Sequence, residues 1–223
     1  MFKRSVILFT YLLFVLAPFA AVCQTEEAPA RYTSQIGINT TFFFKQFLNF
    51  SSNSTIVVSP YVLTYKLISP KNHAFRMAVG GNFSTKTETF SSGTPPRKTN
   101  TQALDFSAGY EYRQPLSNHW LCFFGVDAVT HLENAKTVAQ DATETVTTIT
   151  NNNSYGAGPM VGIQFNISKR ICLFTETSLI FNASTQSFET KFQNSPQFND
   201  KQTTKETTIN FVLPTSIFLA INL

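Results

Sequence analysis

The stretch that decides the fold is the C-terminal segment at residues 207–223, TTINFVLPTSIFLAINL. Counting back from Leu223 to Phe211, every second residue is apolar or Thr, whereas the residues between them are mixed in polarity. Side chains of a β-strand alternate between its two faces, so the segment is predicted to be one strand with an apolar face. A soluble sheet buries such a face on a core, whereas a membrane barrel turns it toward lipid. The rest of the chain must supply the partner strands that distinguish these cases.

The composition argues against both a disordered chain and an ordinary soluble enzyme. Charged residues make up 13% of the 223 residues, aromatic residues make up 14%, and Phe alone occurs 23 times. In a typical soluble domain about a quarter of the residues are charged. The formal net charge is +4, and without Lys3 and Arg4 the 17 basic residues become 15, against 13 acidic ones. This excess is too small to indicate a nucleic-acid partner.

Residues 1–23 have the pattern of a secretory signal peptide. Lys3 and Arg4 precede an apolar run at residues 6–16, and the segment ends in Ala-Val-Cys, which predicts cleavage before Gln24. An acylated Cys23 is the alternative, and it is disfavoured because the preceding Val is larger than the residue usually found there. The apolar run is shorter than the roughly 20 residues that a membrane-spanning helix needs. Any further membrane contact must therefore be made by strands.

The predicted organisation is a signal peptide at 1–23, a polar leader at 24–34 and one β domain at 35–223. Within the β domain only Cys122 and Cys172 remain. They fall on predicted strands that are not neighbours, and they face opposite ways, so we expect two free thiols and no disulfide. Two cysteines without a His-rich spacing are also too few for a zinc site, and no cofactor motif occurs.

Eight segments alternate between apolar and polar residues with the period of a strand. They are 35–44, 55–67, 73–89, 101–113, a segment beginning near 119, 154–167, 171–190 and the C-terminal strand. The sixth is the clearest, because Tyr155, Val161 and Ile163 share one face while Gly162 and Gln164 lie on the other. The segments are about as long as the 9–11 residues that a tilted strand needs to cross the hydrocarbon layer.

The connections between these strands alternate between long and short. Short turns are predicted at 69–72, 114–118 and 168–170, and loops at 45–54, 90–100, 134–153 and 191–202. For the Thr/Asn-rich stretch at 137–153, the alternative is that it extends the hairpin above the barrel. Outer-membrane barrels have short periplasmic turns, longer outer loops and an even number of strands. Closing the sheet also satisfies every backbone group, which lipid requires. The sequence therefore predicts an all-β, eight-stranded antiparallel up-and-down transmembrane β-barrel.

These features resemble an outer-membrane β-barrel domain protein across residues 35–223. The chain is similar to the small OmpA/OmpX-like barrels and to the PorT-like barrels of Bacteroidota, the latter through Pro-Tyr-Val-Leu-Thr-Tyr-Lys at 60–66 and Ala-Phe-Arg at 74–76. The terminal Leu223 departs from the aromatic residue with which many such proteins end. The resemblance implies a fold and a bacterial outer-membrane location, and it implies no reaction.

Charged residues on the inward faces are few and of both signs. An eight-stranded barrel has room inside for side chains and little else, and buried charges must be paired. We expect a lumenal salt-bridge network. The alternative is a proton or small-ion path, or a gate opened by rearranging the pairs. The predicted members of the network are Lys66, Arg76, Asp105, Glu111, Arg113, Asp127 and Glu176.

A set of aromatic residues is predicted to face outward near the strand ends. Their outward direction and their position near the strand ends favour a belt, or girdle, at the membrane interface over a ligand-stacking surface. The girdle residues are Tyr61, Tyr65, Tyr110, Tyr112, Trp120 and Tyr155.

We expect no enzymatic activity. Some lipid-modifying barrels use a His with a Ser and an acid, and His131, Glu133 and Ser154 could supply them. Two residues on one strand are a weak geometric signal, however, and loop residues of these types are usually solvated.

The predicted function is structural or interactive, through the surface loops. Transport of a small solute or assistance to secretion is the second prediction, and a soluble lipocalin-like ligand binder is the third. The expected partners are outer-membrane lipid and an extracellular or secretion-machinery protein, and the barrel is expected to be a monomer.

Overall fold

The computed structural model describes residues 32–41, 60–89, 96–140 and 144–223, which belong to one compact unit, Tyr32–Leu223. The predicted signal peptide, most of the leader and the predicted loop at 45–54 lie outside the described residues. Within the described part of the chain, no helix has the length and apolar character to cross a bilayer. The regular structure there consists of strands and one short 3₁₀ helix, Pro196–Phe198.

The strand bounds follow from the backbone pairing. They are β1 Thr33–Asn39, β2 Leu63–Ile68, β3 His73–Glu88, β4 Arg97–Pro115, β5 Trp120–Gln140, β6 Thr145–Asn166, β7 Ile171–Phe192, β8 Asp200–Val212 and β9 Phe218–Asn222.

The strands close into a ring, and every pair in it is antiparallel. Consecutive strands pair from β1 to β7, β8 pairs with β7, and β9 pairs with both β7 and β1. β8 and β9 both pair with β7, one after the other along its length. They are therefore two halves of one C-terminal strand, and the barrel is eight-stranded. The predicted antiparallel up-and-down barrel is confirmed. Closure leaves no free edge in the part of the ring where β9 joins β1.

The C-terminal strand is interrupted, which the alternation at 207–223 did not predict. Five residues at 213–217 lie opposite three residues of β7, 175–177, because the pairs on either side are Ser178 with Val212 and Phe174 with Phe218. Pro214 has no N–H to give to the ladder. Hydroxyl groups replace part of the lost bonding, since Thr177 Oγ1 donates to the Val212 carbonyl at 2.6 Å.

Connections at one end of the barrel are the predicted tight turns, at residues 69–72, 116–119 and 167–170. We call this the short-turn end and the opposite one the tall end. At the tall end the predicted loop at 134–153 is wrong and the alternative, an extended hairpin, is confirmed, because β5 and β6 stay paired from Trp120 with Phe165 up to Gln140 with Thr145. The segment is rich in Thr and Asn. Its polar composition suggested a loop, but the branched side chain of Thr also suits a pleated sheet.

The other predicted loops at the tall end are also shortened by strand. β4 begins at Arg97, inside the predicted loop at 90–100, and β7 and β8 extend into the one at 191–202. In contrast, β1 and β2 are shorter than predicted, ending at Asn39 and beginning at Leu63, and the remainder of both predicted strands lies largely outside the described residues.

The two faces of the sheet have the predicted orientation. Ile163 is 40% exposed on the outside, whereas its neighbour Gln164 is 2% exposed in the interior. Exposed apolar side chains cover the outer face of every strand from β1 to β9, among them Ile36, Leu63, Phe75, Phe106, Val126, Val161, Phe181, Phe211 and Ile221. Such a band on a closed barrel is a lipid-facing surface.

A small apolar layer fills the interior toward the short-turn end. The rings of Phe174 and Phe218 stack at 4.8 Å, and Phe123 meets Phe174 edge-on at 6.0 Å. Gly162 lies against the Phe123 ring, where any side chain would collide with it. The buried Cys172 belongs to this layer, while Cys122 lies on the outer face of β5, and both are free thiols as predicted.

Candidate functional site in the barrel lumen

Arg76 lies at the centre of the charged groups in the lumen. It projects inward from β3 and its side chain is almost completely buried. Its Nη2 donates to both carboxylate oxygens of Glu176 at 2.8 Å, and its Nη1 lies 3.5 Å from Glu111 Oε2. Its Nε lies 3.4 Å from Asp127 Oδ1. One guanidinium therefore joins carboxylates on β4, β5 and β7, a geometry that suits its planar fork of donors.

Lys66 is the second buried cation, opposite Arg76 in the β2–β3 register. Its Nζ donates to Glu111 Oε2 at 2.8 Å and lies 4.0 Å from the centre of the Phe123 ring and 4.5 Å from that of Phe174. The ammonium group is thus held by a carboxylate and two aromatic faces, which compensate for the water it has lost.

Arg113 connects these charges to neutral polar groups nearer the short-turn end. Its Nε lies 3.8 Å from Glu111 Oε1, and its Nη2 donates to Gln164 Oε1 at 3.0 Å. Gln35 Nε2 in turn donates to Asn222 Oδ1 at 2.8 Å. Gln35 and Gln164 are fully buried members that the predicted network did not include. Their inward parity was visible in the sequence, but the network was predicted from charged residues alone.

We call Lys66, Arg76, Glu111, Arg113, Asp127 and Glu176 the central network. It contains three cations and three carboxylates, so it is neutral as a whole. Gly109 is required beside it, because a side chain there would collide with Asp127. Together with the layer of Phe rings, the network fills the half of the barrel toward the short-turn end.

A cavity lies on each side of the central network. The one at the tall end, which we call the outer cavity, has a volume of about 450 Å³ and is bounded by Asp127 and Glu176 of the network. The one at the short-turn end has a volume of about 530 Å³ and is bounded by Arg113 and Gln164. Lys66, Arg76 and Glu111 line neither cavity. They therefore separate the two.

Asp105 does not belong to the central network, in contrast to the prediction. Its Oδ1 lies 2.7 Å from His131 Nδ1, higher in the lumen, because the β4–β5 register places these two residues opposite each other. His131 lies within β5 rather than in a loop, and its Nε2 is 3.6 Å from Glu133 Oε2. Ser154 is the register partner of His131 on β6. The predicted position of His131 on the fifth strand is confirmed, but the sequence does not give the register that reveals its partner Asp105 on β4.

Five of the six predicted girdle residues lie on the barrel strands, and three of them are strongly exposed. Tyr110, Trp120 and Tyr155 are the exposed ones, and Tyr65 and Tyr112 are partly covered. Trp120 packs on Phe165 with ring centres 4.8 Å apart, as residues of an interfacial belt do.

Tyr61 departs from that set. It hydrogen-bonds Ser107 and lines the outer cavity, so its predicted outward direction is wrong. The period-two alternation breaks there because β2 begins only at Leu63. The chain before it passes close to Gly80, where a side chain would collide with the Pro60 carbonyl group.

A metal site in the lumen would need several ligating side chains close together. Among the described residues, no group of three or more His, Cys, Asp or Glu side chains is arranged to hold a metal ion.

Comparisons with known proteins find only distant similarities. No family model matches the sequence, and no curated protein matches it. Among solved structures, a major outer membrane protein from Thermus thermophilus has 11% identity and a TM-score of 0.39, covering 86% of this chain and 98% of that one. CarO of Acinetobacter baumannii has 7% identity and a TM-score of 0.32, covering 90% and 99%.

Proposed function

We propose that this protein is a bacterial outer-membrane barrel with a closed lumen. The ends of β4 to β7 away from the short turns form a sheet outside the cell, which we call the wall, and the wall interacts with a partner. The observation that carries the proposal is strand length. β4, β5, β6 and β7 contain 19, 21, 22 and 22 residues, whereas a strand needs about 9–11 to cross the hydrocarbon layer. About half of each strand therefore stands beyond the bilayer.

The composition of this wall supports a role in recognition. Beyond Leu132 on β5 and Tyr155 on β6, the outward positions are mostly polar and include Asn134, Lys136 and Asn151. The wall is paired throughout, so it offers a fixed surface rather than a set of loops, and fixed surfaces lose less entropy on binding. The resemblance to PorT-like barrels makes a secretion-machinery protein one class of partner, and an extracellular protein is the other.

The orientation can be tested by labelling of intact cells. A cysteine at Lys136 should react with a membrane-impermeant maleimide from outside, and a cysteine at Lys169 in a short turn should react only after the outer membrane is permeabilised. The reverse pattern would overturn the proposed orientation. The free thiol of Cys122, which faces lipid, could also react with the maleimide. Both cysteine variants are therefore made in a C122A parent.

The interaction itself can be tested by photo-crosslinking. A photoreactive residue at Thr147, on the outer face of the wall, should yield a discrete crosslink to a protein partner in cells. The same residue at Ile163, on the lipid-facing band, should yield none. Crosslinking only to lipid at both positions would count against a protein-binding wall and favour a structural role as a monomer.

Passage of a small solute is a second candidate, supported by the two cavities that flank the central network. Both are lined in part by polar side chains, and Lys66, Arg76 and Glu111 lie between them with the adjacent Phe layer. Rearranging the ion pairs would join the cavities into one path. The conductance of the wild-type barrel in planar bilayers decides between this function and the closed barrel.

A further inference from the structure

The lining of the outer cavity contains a row of polar residues that the strand register aligns. Asp105 on β4 is opposite His131 on β5, which is opposite Ser154 on β6, then Ser184 on β7 and Glu206 on β8. All five line the outer cavity. The row thus begins and ends with a carboxylate and carries hydroxyl groups between them.

The charge of this row is not balanced by the groups beneath it. The central network is neutral, with its three cations bound to its own three carboxylates. This leaves Asp105, Glu133 and Glu206 on the inward face above the network, with His131 beside the first two. Lys86 and Arg97, farther toward the tall end, lie beside Glu88, which pairs with Lys86 and is opposite Arg97. Among the described residues that line the cavity there is no Lys or Arg.

The floor of the cavity provides an observation that does not depend on the row. Asp127 lines the floor, is 6% exposed, and its Oδ1 accepts no hydrogen bond, although Arg76 Nε lies 3.4 Å away. A buried carboxylate oxygen without a donor is rare and costs free energy. Asp127 therefore adds to the floor a carboxylate that is ion-paired with Arg76 but receives no hydrogen bond at Oδ1.

We propose that the outer cavity binds a small solute that carries protonated amino groups. An ammonium group has three donors and no acceptor, which complements carboxylate, hydroxyl and amide oxygens. A volume of about 450 Å³ lies within the roughly 300–1,000 Å³ of small-molecule sites. An anion would meet uncompensated negative charge, and a metal ion would lack a set of three ligands among the described residues. This inference goes beyond the interaction role proposed for the wall, because it concerns the lumen.

The test compares putrescine with butane-1,4-diol, which has a similar chain and no charge. Binding is measured by calorimetry on the folded protein in detergent. The wild type should bind putrescine and not the diol. The variant D105N/E206Q should bind putrescine at least about tenfold more weakly, since each neutralised carboxylate removes attraction of a few kT inside a partly enclosed site.

The matched control is E189Q, which removes a carboxylate from the outer face of the same wall, where Glu189 pairs with Lys191. It should leave the affinity within about twofold. Gel migration with and without heating shows that each variant is folded. Equal binding of the diol, no putrescine binding to folded wild type, or equal affinities for D105N/E206Q and E189Q would each overturn the proposal.

Discussion

Arg76 and Glu176, a hundred residues apart in the chain, join β3 to β7 across the lumen by two hydrogen bonds of 2.8 Å. No backbone ladder connects these strands, because β3 pairs with β2 and β4, and β7 pairs with β6, β8 and β9. The ion pair therefore fixes the cross-section of the barrel in a direction that the sheet does not. Its burial makes it sensitive to loss of either partner.

The first prediction concerns stability. R76A leaves three carboxylates at the centre of the barrel without their shared cation, and removing one partner of a buried pair costs about 3–5 kcal/mol. We expect a loss of that size in the free energy of unfolding, measured by urea titration of the barrel in lipid vesicles.

The control for this experiment is K86A. Lys86 pairs with Glu88 at 2.6 Å near the tall end of β3, but its side chain is largely exposed, and exposed pairs contribute about 0–1 kcal/mol. If R76A and K86A unfold at the same urea concentration, the central network does not stabilise the barrel.

The second prediction concerns permeability. The wild-type barrel in planar bilayers should show no channel, because the central network and the Phe layer separate the two cavities. The variant R76A/F123A removes the central guanidinium and one ring of that layer, so we expect it to show small, steady conductance. If the wild-type barrel opens channels and R76A/F123A shows the same conductance, the protein is a pore whose path does not pass through the central network.

The faces of the strands could be predicted because period-two alternation is a local property. Residues such as Ile163 and Gln164 differ in hydrophobicity, and their neighbours two positions away repeat the difference. A one-residue slip would expose every polar residue to lipid, so the pattern fixes orientation strongly. The short turns were predicted for a similar reason, since Ser69-Pro70-Lys71-Asn72 has the residues of a turn, and Asn72 adopts a φ of 62°.

What could not be predicted depends on contacts between strands distant in the chain. Asp105 has the same inward parity as Asp127, yet the register places it beside His131, above the central network. The membrane boundary is likewise absent from the local pattern. The strands at 134–140 and 145–153 continue without an apolar face, and their Thr- and Asn-rich composition predicts a loop.

Breaks in the ladder were missed for a third reason. Tyr61 and the segment at 213–217 both keep the alternation of the adjoining strand in sequence. In the structure, the chain before Tyr61 lies close against Gly80 in one case, and Pro214 has no N–H for the ladder in the other. Hydrophobic period alone does not detect such a departure.

The third prediction separates the wall from the membrane barrel. Replacing residues 136–149 by Asn-Gly joins Ala135 to Thr150, which face each other in the register, by a two-residue turn that suits a hairpin. The membrane-crossing parts of the strands and the central network are unchanged. The variant should therefore still fold and migrate differently on a gel with and without heating. The photo-crosslink to a partner should be lost when the probe is placed at the equivalent wall position on β7, Ser187. A variant that does not fold would show that the wall is part of the folding unit rather than an added surface.

The fourth prediction concerns the interruption in the C-terminal strand. Thr177 Oγ1 donates a 2.6 Å hydrogen bond to the Val212 carbonyl where the β7 ladder passes from β8 to β9. Because lipid supplies no donor, T177V leaves that carbonyl without this bond, at a cost of about 1–3 kcal/mol. T185V is the matched control, since Thr185 lies on the same face of β7 farther toward the tall end, opposite Lys205, and the ladder is intact there. Urea unfolding in vesicles should show a loss for T177V and little change for T185V. Equal stability of the two variants would mean that the hydroxyl group does not compensate for the break that Pro214 makes.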